Sequence, residues 1–424
     1  MKSCPTCQRV FPNDAGFCPA DGTPLTAASM APVAASAEDA RIGARLCDRY
    51  EVRRVVADGG MGRVYEAIDK QNDARVAVKV LHADVAKDEV ALERFKREYE
   101  ISSLLPHQHI VSVTDFQRDI VGNTWLLVME FLDGEELRYI LKREKVLPPE
   151  RIVRMLSQVA IGLDEAHQRN LIHRDLKPDN LFLCGTREGD VVKILDFGSA
   201  KDKSSNKKKL TQLGTTIGSP FYMSPEQAQG LESIDKRADV FALAAVTYEC
   251  ITGSVPFSGT NGPSILLAIL TKDPVPPTQK AAGQKYPVPP AMDDVLEVGL
   301  AKNQNIRTQS VGALADAVGQ AYGLAGDHRL WATLPQQEIA RQLAEALPRV
   351  MAPPAPAAPD PFASPGSAGP LSGNRAMDAA FGAVREDELV TAGLPGKKPG
   401  WVLPVVVGLL ALVVGGAVTL VMLK

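Results

Sequence analysis

Between residues 46 and 324 the chain alternates two patterns of apolar and polar positions. Short β-branched runs, such as Arg75-Val76-Ala77-Val78-Lys79-Val80, place apolar residues at every second position and predict strands. Longer amphipathic stretches between them predict helices. Strands and helices mixed over a segment of this size predict one α+β globular domain. The flanks read differently. Residues 1–26 form a small cysteine-containing head, and residues 27–45 a linker that opens rich in Ala, Ser and Pro. Residues 325–400 read as a tether, because Pro, Ala, Gly and Ser dominate 351–373 and leave little to bury. A short amphipathic helix with Ile339, Leu343 and Leu347 on one face precedes that stretch.

Residues 401–423 contain no charged side chain. As a helix they would reach about 34 Å, against about 30 Å of bilayer hydrocarbon. Lys397 and Lys398 precede the segment and Lys424 follows it, which places its N-terminal side in the cytoplasm. The expectation is a single-pass tail anchor in the cell (inner) membrane, with Trp401 at headgroup level, the folded domain in the cytoplasm and no extracytoplasmic sensor domain.

Charge and cysteine content sharpen the picture modestly. A formal net charge of −3 argues against a nucleic-acid binder, which would carry a strong basic excess. The first residues lack the apolar core of a signal peptide. Three of the six cysteines crowd the first 20 residues, a clustering that points to metal in a reducing compartment. Cys4-Pro5-Thr6-Cys7 is followed by Cys18-Pro19-Ala20-Asp21, the same spacing with Asp in the fourth place. The pair resembles a zinc ribbon. Three thiolates and the Asp21 carboxylate can complete a tetrahedral structural Zn²⁺ site. A histidine or water as fourth ligand, or a site without metal, are the alternatives.

Candidate chemistry lies in the central segment. Val56-Ala57-Asp58-Gly59-Gly60-Met61-Gly62-Arg63-Val64 is a loop of small residues between two strands, through which backbone N–H groups can approach phosphate oxygens. Lys79 is one charge on an otherwise apolar strand and needs a partner, either phosphate or Glu98 on the following predicted helix. The segment Ile172-His173-Arg174-Asp175-Leu176-Lys177-Pro178-Asp179-Asn180 offers a base for a hydroxyl proton (Asp175), a cation for a transferring phosphoryl group (Lys177) and a metal ligand (Asn180). Asp196, in Asp196-Phe197-Gly198, adds a carboxylate suited to Mg²⁺, which favours one or two carboxylates with phosphate and water.

These motifs, with Ser224-Pro225-Glu226 downstream, resemble the eukaryotic-type protein kinases, and in particular the bacterial membrane-bound Ser/Thr branch. The resemblance covers roughly residues 46–322. It implies a two-lobed fold, with an N-lobe over about 46–129 and a C-lobe over about 134–324. It implies ATP and Mg²⁺ (or Mn²⁺) as cofactors and protein Ser/Thr as acceptor. Residues 57–64 would cover the phosphates, and Lys79, paired with Glu98, would position them. Val64 and Ala77 would pack on adenine, with Met129 as gatekeeper and residues 130–132, Glu130 and Leu132 among them, as the hinge. Asp175 would be the base, and Asn180 and Asp196 the metal ligands. Glu226 would pair with Arg307, and Asp239 would brace the loop bearing Asp175. Ser219 matches the position that helps select a hydroxyl acceptor. Arg174, directly before Asp175, implies control by phosphorylation at Thr211, Thr215 or Thr216. The five lysines of residues 201–209 read as a solvated loop or as an attractor of acidic groups.

One departure stands out: Ala57 replaces the first glycine of the family's loop, which implies a slightly stiffer loop and, since the two later glycines remain, weaker ATP affinity at most and no loss of activity. The rival readings are a pseudokinase, a class that typically lacks the equivalents of Lys79, Asp175 or Asp196, all present here, and a membrane scaffold in which the zinc head does the main work and the kinase domain docks partners. Substrates, activating signal and homodimerisation are left open by the sequence.

Overall fold

The computed structural model describes residues 39–59, 62–197, 220–352, the backbone of 201–202 and three two-residue strands near the N-terminus. The chain divides into two units, Met1–Pro354 and Ala355–Lys424, the second outside the described residues. The short strands β1 (Lys2–Ser3), β2 (Val10–Phe11) and β3 (Thr26–Ala27) form an antiparallel sheet with β1 in the middle. Cys4, Cys7, Cys18 and Asp21, and the expected membrane segment 401–423, lie outside the described residues. Among the described residues no helix is long and apolar enough to cross a membrane, and no group of three or more His, Cys, Asp or Glu is placed to hold a metal.

The period-two pattern of residues 74–81 builds the middle of a six-stranded antiparallel sheet. Its strands are β4 (Arg45–Leu46), β5 (Tyr50–Asp58), β6 (Gly62–Asp69), β7 (Ala74–Leu81), β8 (Val113–Asp119) and β9 (Thr124–Glu130), in the order β4-β5-β6-β7-β9-β8. Val76, Val78 and Val80 bury on one face with Tyr50, Tyr65, Leu126 and Val128. Leu81 and Leu127 bury on the other, against Phe95 of helix α1 (Glu89–Leu104). Successive strand residues point to opposite faces, so Lys79 shares the α1 side. The Asp88 side chain caps α1, accepting from the Val90 N–H at 2.9 Å. On α1, Ala91, Phe95, Glu98, Ile101 and Ser102 form the buried face.

After β9 the chain runs through β10 (Gly134–Glu136) into a helical lobe built on α2 (Leu137–Glu144) and α3 (Pro149–Gln168). Then come β11 (Leu171–Ile172), β12 (Leu181–Thr186), β13 (Gly189–Ile194) and β14 (Lys201–Asp202). The helices α4 (Pro225–Ala228), α5 (Arg237–Thr252), α6 (Gly262–Thr271), α7 (Pro277–Lys280), α8 (Ala291–Gly299) and α9 (Val311–Ala321) follow. Strand β12 pairs with both β10 and β13, and β11 pairs with β14. Helix α5 has little amphipathicity, and almost every residue from Ala238 to Thr252 is buried, so it is the core around which the other helices pack.

The expected tether starts later than residue 325. Helices α10 (His328–Thr333) and α11 (Gln336–Val350) pack onto α3 and carry Trp331, Ile339 and Leu343 into the same core. Trp331 is fully buried, and its indole N–H donates to the Ala325 carbonyl at 3.1 Å. Gly319 of α9 faces that indole, where any Cβ would collide with the ring. The Pro/Ala-rich composition begins only after these helices, so reading a tether back to 325 extended it over residues that bury an aromatic anchor. The short helix expected around 339–347 is the interior of α11.

Candidate active site

Strand β7 and helix α1 bring Lys79 and Glu98 together: Lys79 Nζ lies 2.9 Å from Glu98 Oε2. Both groups are largely removed from water. Burial opposes the charge on Lys79, but attraction to Glu98 and Asp196 outweighs it and holds its pKa above the usual lysine value. Burial pushes the Glu98 carboxyl up to about 6 against the pull of Lys79, with the Asp196 charge adding to the rise.

The hairpin above it joins β5 to β6. Val64 sits opposite Lys79 in the β6–β7 register, and Ala77 opposite Met129 in β7–β9. Ala57 pairs with Val64 and Asp58 with Arg63. The Gly59 N–H donates to the Gly62 carbonyl at 3.0 Å. At Gly62 a Cβ would strike the Val80 carbonyl, so this glycine is required by strand approach as well as by any ligand. Gly60 and Met61 are outside the described residues. Met129 and Leu132 pack against the α1-side cluster. The Glu130 carboxylate is occupied within the protein: Oε1 lies 2.7 Å from Lys193 Nζ and accepts from the Ser112 N–H at 2.7 Å.

Below, the loop between β11 and β12 is held from underneath. Asp239, fully buried on α5, accepts from the His173 N–H at Oδ2 and the Arg174 N–H at Oδ1, each at 2.9 Å. His167 Nε2 lies 2.7 Å from Oδ2. Burial would raise the Asp239 pKa, but the His167 hydrogen bond and charge, with the contacts to the loop, hold it below the usual carboxylate value. Within the loop, Lys177 Nζ donates to Asp175 Oδ2 at 2.7 Å, and Asn180 Nδ2 donates to the Asp175 carbonyl at 2.7 Å. Arg174 and Asp196 both take left-handed backbone, with φ of 68° and 56°. Such conformations are uncommon outside glycine and cluster at functional sites. The His173 ring meets Phe197 edge-on at 4.7 Å and its Nε2 lies 2.9 Å from the Leu195 carbonyl, locking the two segments together.

Mg²⁺ would find a suitable donor set here. With Asn180 Nδ2 directed to Asp175, the carboxamide presents its oxygen as acceptor, and the Asp196 carboxylate follows two strands later. Two protein oxygens suffice for an ion that completes its shell with phosphate and water.

Further out, Glu226 and Arg307 form a buried two-pronged pair, with N–O distances of 2.7 and 3.0 Å. Gln227 of α4 donates to the Arg174 carbonyl at 2.7 Å and so ties the Ser-Pro-Glu segment to the 173–180 loop. Two features lay beyond sequence reasoning: that tie and the net around Arg138. From α2, Arg138 donates to Tyr222 Oη (2.6 Å), Glu249 Oε1 (2.9 Å) and Asp179 Oδ2 (3.2 Å). A lone Arg on a short polar helix carries no spacing signal for such a role. Thr211, Thr215, Thr216 and Ser219 lie outside the described residues, and of 201–209 only the β14 backbone is described.

A strand-rich lobe with a Lys–Glu pair beneath a glycine-containing hairpin, over a helical lobe presenting Asp175 and Asn180, is the architecture of protein phosphotransferases. The chain belongs to the protein kinase domain family, which matches residues 50–318. It is similar to the serine/threonine-protein kinase pkn3 of Myxococcus xanthus, at 37% identity over 278 residues covering 65% of this chain and 50% of that one. It is also similar to the serine/threonine-protein kinase PknA of Mycobacterium tuberculosis, at 38% identity covering 66% of this chain and 62% of that one. The chain thus spans about half to three-fifths of the length of these curated relatives. Among solved structures, the PknI kinase domain of Mycobacterium tuberculosis matches with a TM-score of 0.50 and 27% identity, covering 66% of this chain and 98% of that one.

Proposed function

We propose that this protein is an active Ser/Thr protein kinase that transfers the ATP γ-phosphoryl group to Ser or Thr side chains of proteins. The observation that carries the reading is the closed Lys79–Glu98 pair at 2.9 Å above a loop in which Asp175, Lys177 and Asn180 are already hydrogen-bonded to one another. A protein that had given up catalysis would have no need to hold three polar groups in one arrangement over a buried Asp239.

In this reading Lys79 neutralises and orients the nonreacting phosphates, and Glu98 fixes the ammonium in place. Residues 57–64 cover the phosphates with backbone N–H groups. Val64 and Ala77 pack on the adenine, with Met129 behind it and Glu130 and Leu132 as hinge residues. The acceptor hydroxyl is oriented by Asp175, which takes its proton as the new O–P bond forms. Lys177 stabilises charge on the phosphoryl oxygens. Asn180 and Asp196 hold Mg²⁺, which when bound offsets phosphate charge. Thr211, Thr215 and Thr216 are the activation-loop acceptors, and a phosphate there pairs with Arg174.

The rest of the chain completes the proposal. Residues 1–26 form a zinc-ribbon-like head, with Cys4, Cys7, Cys18 and Asp21 as ligands. Residues 401–423 anchor the protein in the inner membrane with the kinase domain cytoplasmic. Cysteine spacing supports the first, and the uncharged run flanked by lysines the second.

The test is transfer of labelled phosphate from ATP with Mg²⁺ by the full chain, beside Asp175→Asn. Label on Thr211, Thr215 or Thr216 in the parent only is the expected result. ATP binding without transfer in the parent would replace the kinase by a nucleotide-binding scaffold.

A further inference from the structure

The segment that precedes the sheet reaches β6 through Asp39 and through Arg41, whose Nη1 donates to Tyr65 Oη at 3.2 Å, and of the two it is the Asp39 carboxylate that meets Arg63 beside the phosphate-covering loop. Asp39 is largely buried, with its side chain 11% exposed. Its Oδ2 accepts from Arg63 Nη1 at 2.5 Å and from Tyr65 Oη at 2.7 Å, and its Oδ1 from the Arg41 N–H at 3.0 Å. The strap that carries it is fixed to β5 by backbone bonds, Gly43 N–H to the Val52 carbonyl and Val52 N–H to the Ala44 carbonyl. Arg63 continues the connection. Its Nε donates to Asp58 Oδ2 at 2.9 Å, and Nη2 reaches the same oxygen. On the other side of Asp58, His82 Nε2 lies 3.2 Å from Oδ1 and 3.0 Å from the Gly59 carbonyl. Asp58 and Arg63 form the last pair of the β5–β6 ladder before the loop opens.

We infer that Asp39 is a positioning residue for ATP, acting through Arg63 on Asp58 to hold the mouth of the phosphate-covering loop. This rests on the kinase reading given above. Two physical effects follow from the arrangement. Asp58 places a negative charge beside a loop that must receive a polyphosphate, and Arg63 offsets it. The guanidinium's geometry is set by Asp58 and Asp39 together, and the Asp39 contact is what makes it two-sided: an arginine held by two carboxylates loses the rotamer freedom that weakens an exposed pair. Asp58 and Arg63 are themselves partly exposed, with side chains 45% and 33% accessible, so their own bond is screened and easily lost. The buried member, Asp39, is the one that makes the relay persistent. Without it, the loop enters the complex with more conformations to lose, and that cost falls on nucleotide binding rather than on transfer.

The experiment compares steady-state kinetics of the full chain with those of Asp39→Asn and Asp39→Glu, alongside thermal melts and calorimetric ATP titrations. Asp39→Asn is expected to raise KM for ATP by at least about threefold, while kcat and KM for the protein acceptor stay within about twofold. Asp39→Glu restores part of the loss. In a cycle with Asp58→Asn the two effects on ATP affinity are non-additive, because both act through Arg63. An unchanged or lowered KM for ATP overturns the inference. So does a fall in Tm and kcat together with KM for ATP unmoved, which would make Asp39 a structural residue only. If the unsubstituted chain transfers no phosphate, the kinase reading fails on that control alone, and the calorimetric ATP affinities of the same variants still decide the relay.

Discussion

Asp239 holds the backbone N–H of Arg174 at 2.9 Å while Arg174 sits at a φ of 68°, so a buried carboxylate on α5 maintains a strained turn immediately before Asp175. An Asn at 239 would offer one oxygen and one NH₂ to the two backbone N–H donors and the His167 ring, leaving a backbone donor facing a donor in either orientation. A hydrogen bond to a charged group contributes about 1.5–3 kcal/mol. Asp239→Asn is therefore expected to lower kcat at least about tenfold while KM for ATP changes little, because Lys79 and Glu98 lie on the other lobe. Equal kcat in the variant would remove Asp239 from the account of the loop.

Arg307 and Glu226 are both almost fully buried, and Arg307 also donates to the Ala301 and Arg237 carbonyls at 3.0 and 2.7 Å. Removing one member leaves an uncompensated buried charge. Arg307→Leu is expected to cost about 3–5 kcal/mol, read from chemical denaturation, and Glu226→Gln less. The double variant should recover part of the loss.

Acid should weaken the fold through His109. Burial, helped by the neighbouring positive charges of His107, Lys193 and Arg154, pulls its pKa down to about 4 despite the contact with the Val192 carbonyl. The unfolded chain binds the proton first, so stability is full above about 6.5 and falls as the pH drops toward about 4. The contribution is bounded at about 3 kcal/mol. His109→Gln should flatten the melting temperature between these pH values relative to the parent, and an identical slope in both would clear His109.

Trp331 anchors α10 and α11 to the helical lobe. Trp331→Ala is expected to lose about 3–5 kcal/mol. A chain ending at residue 324 should be destabilised at least as much as that variant. If the shortened chain melts like the parent, the two helices are accessory to the fold.

Much of this site was legible because its residues are chemically out of place in their elements. A Lys on an apolar strand invites pairing with a Glu on the helix that follows, and the 173–180 segment crowds six polar side chains into eight residues. What stayed hidden was of two kinds. Arg138, Tyr222, Glu249 and Asp179 meet from four separate elements, and no single stretch of sequence signals their convergence. The start of the tether was hidden for another reason. Trp331 buries against Gly319, a contact between two helices, and composition averaged over a window does not register a single aromatic in a glycine notch.

Helix α5 has almost no solvent face, and it bears Asp239 at one end and Glu249 near the other. A saturation mutagenesis library selected for phosphotransfer should therefore show a continuous block of intolerance across residues 238–252, with no helical periodicity in the permitted substitutions. At the other extreme, Ile120 and Val121, on the turn between β8 and β9, are 88% and 95% exposed and should accept nearly any side chain. Freedom to change is thus expected at the rim of this domain, while the helix beneath the reacting groups is constrained by its own packing on every side.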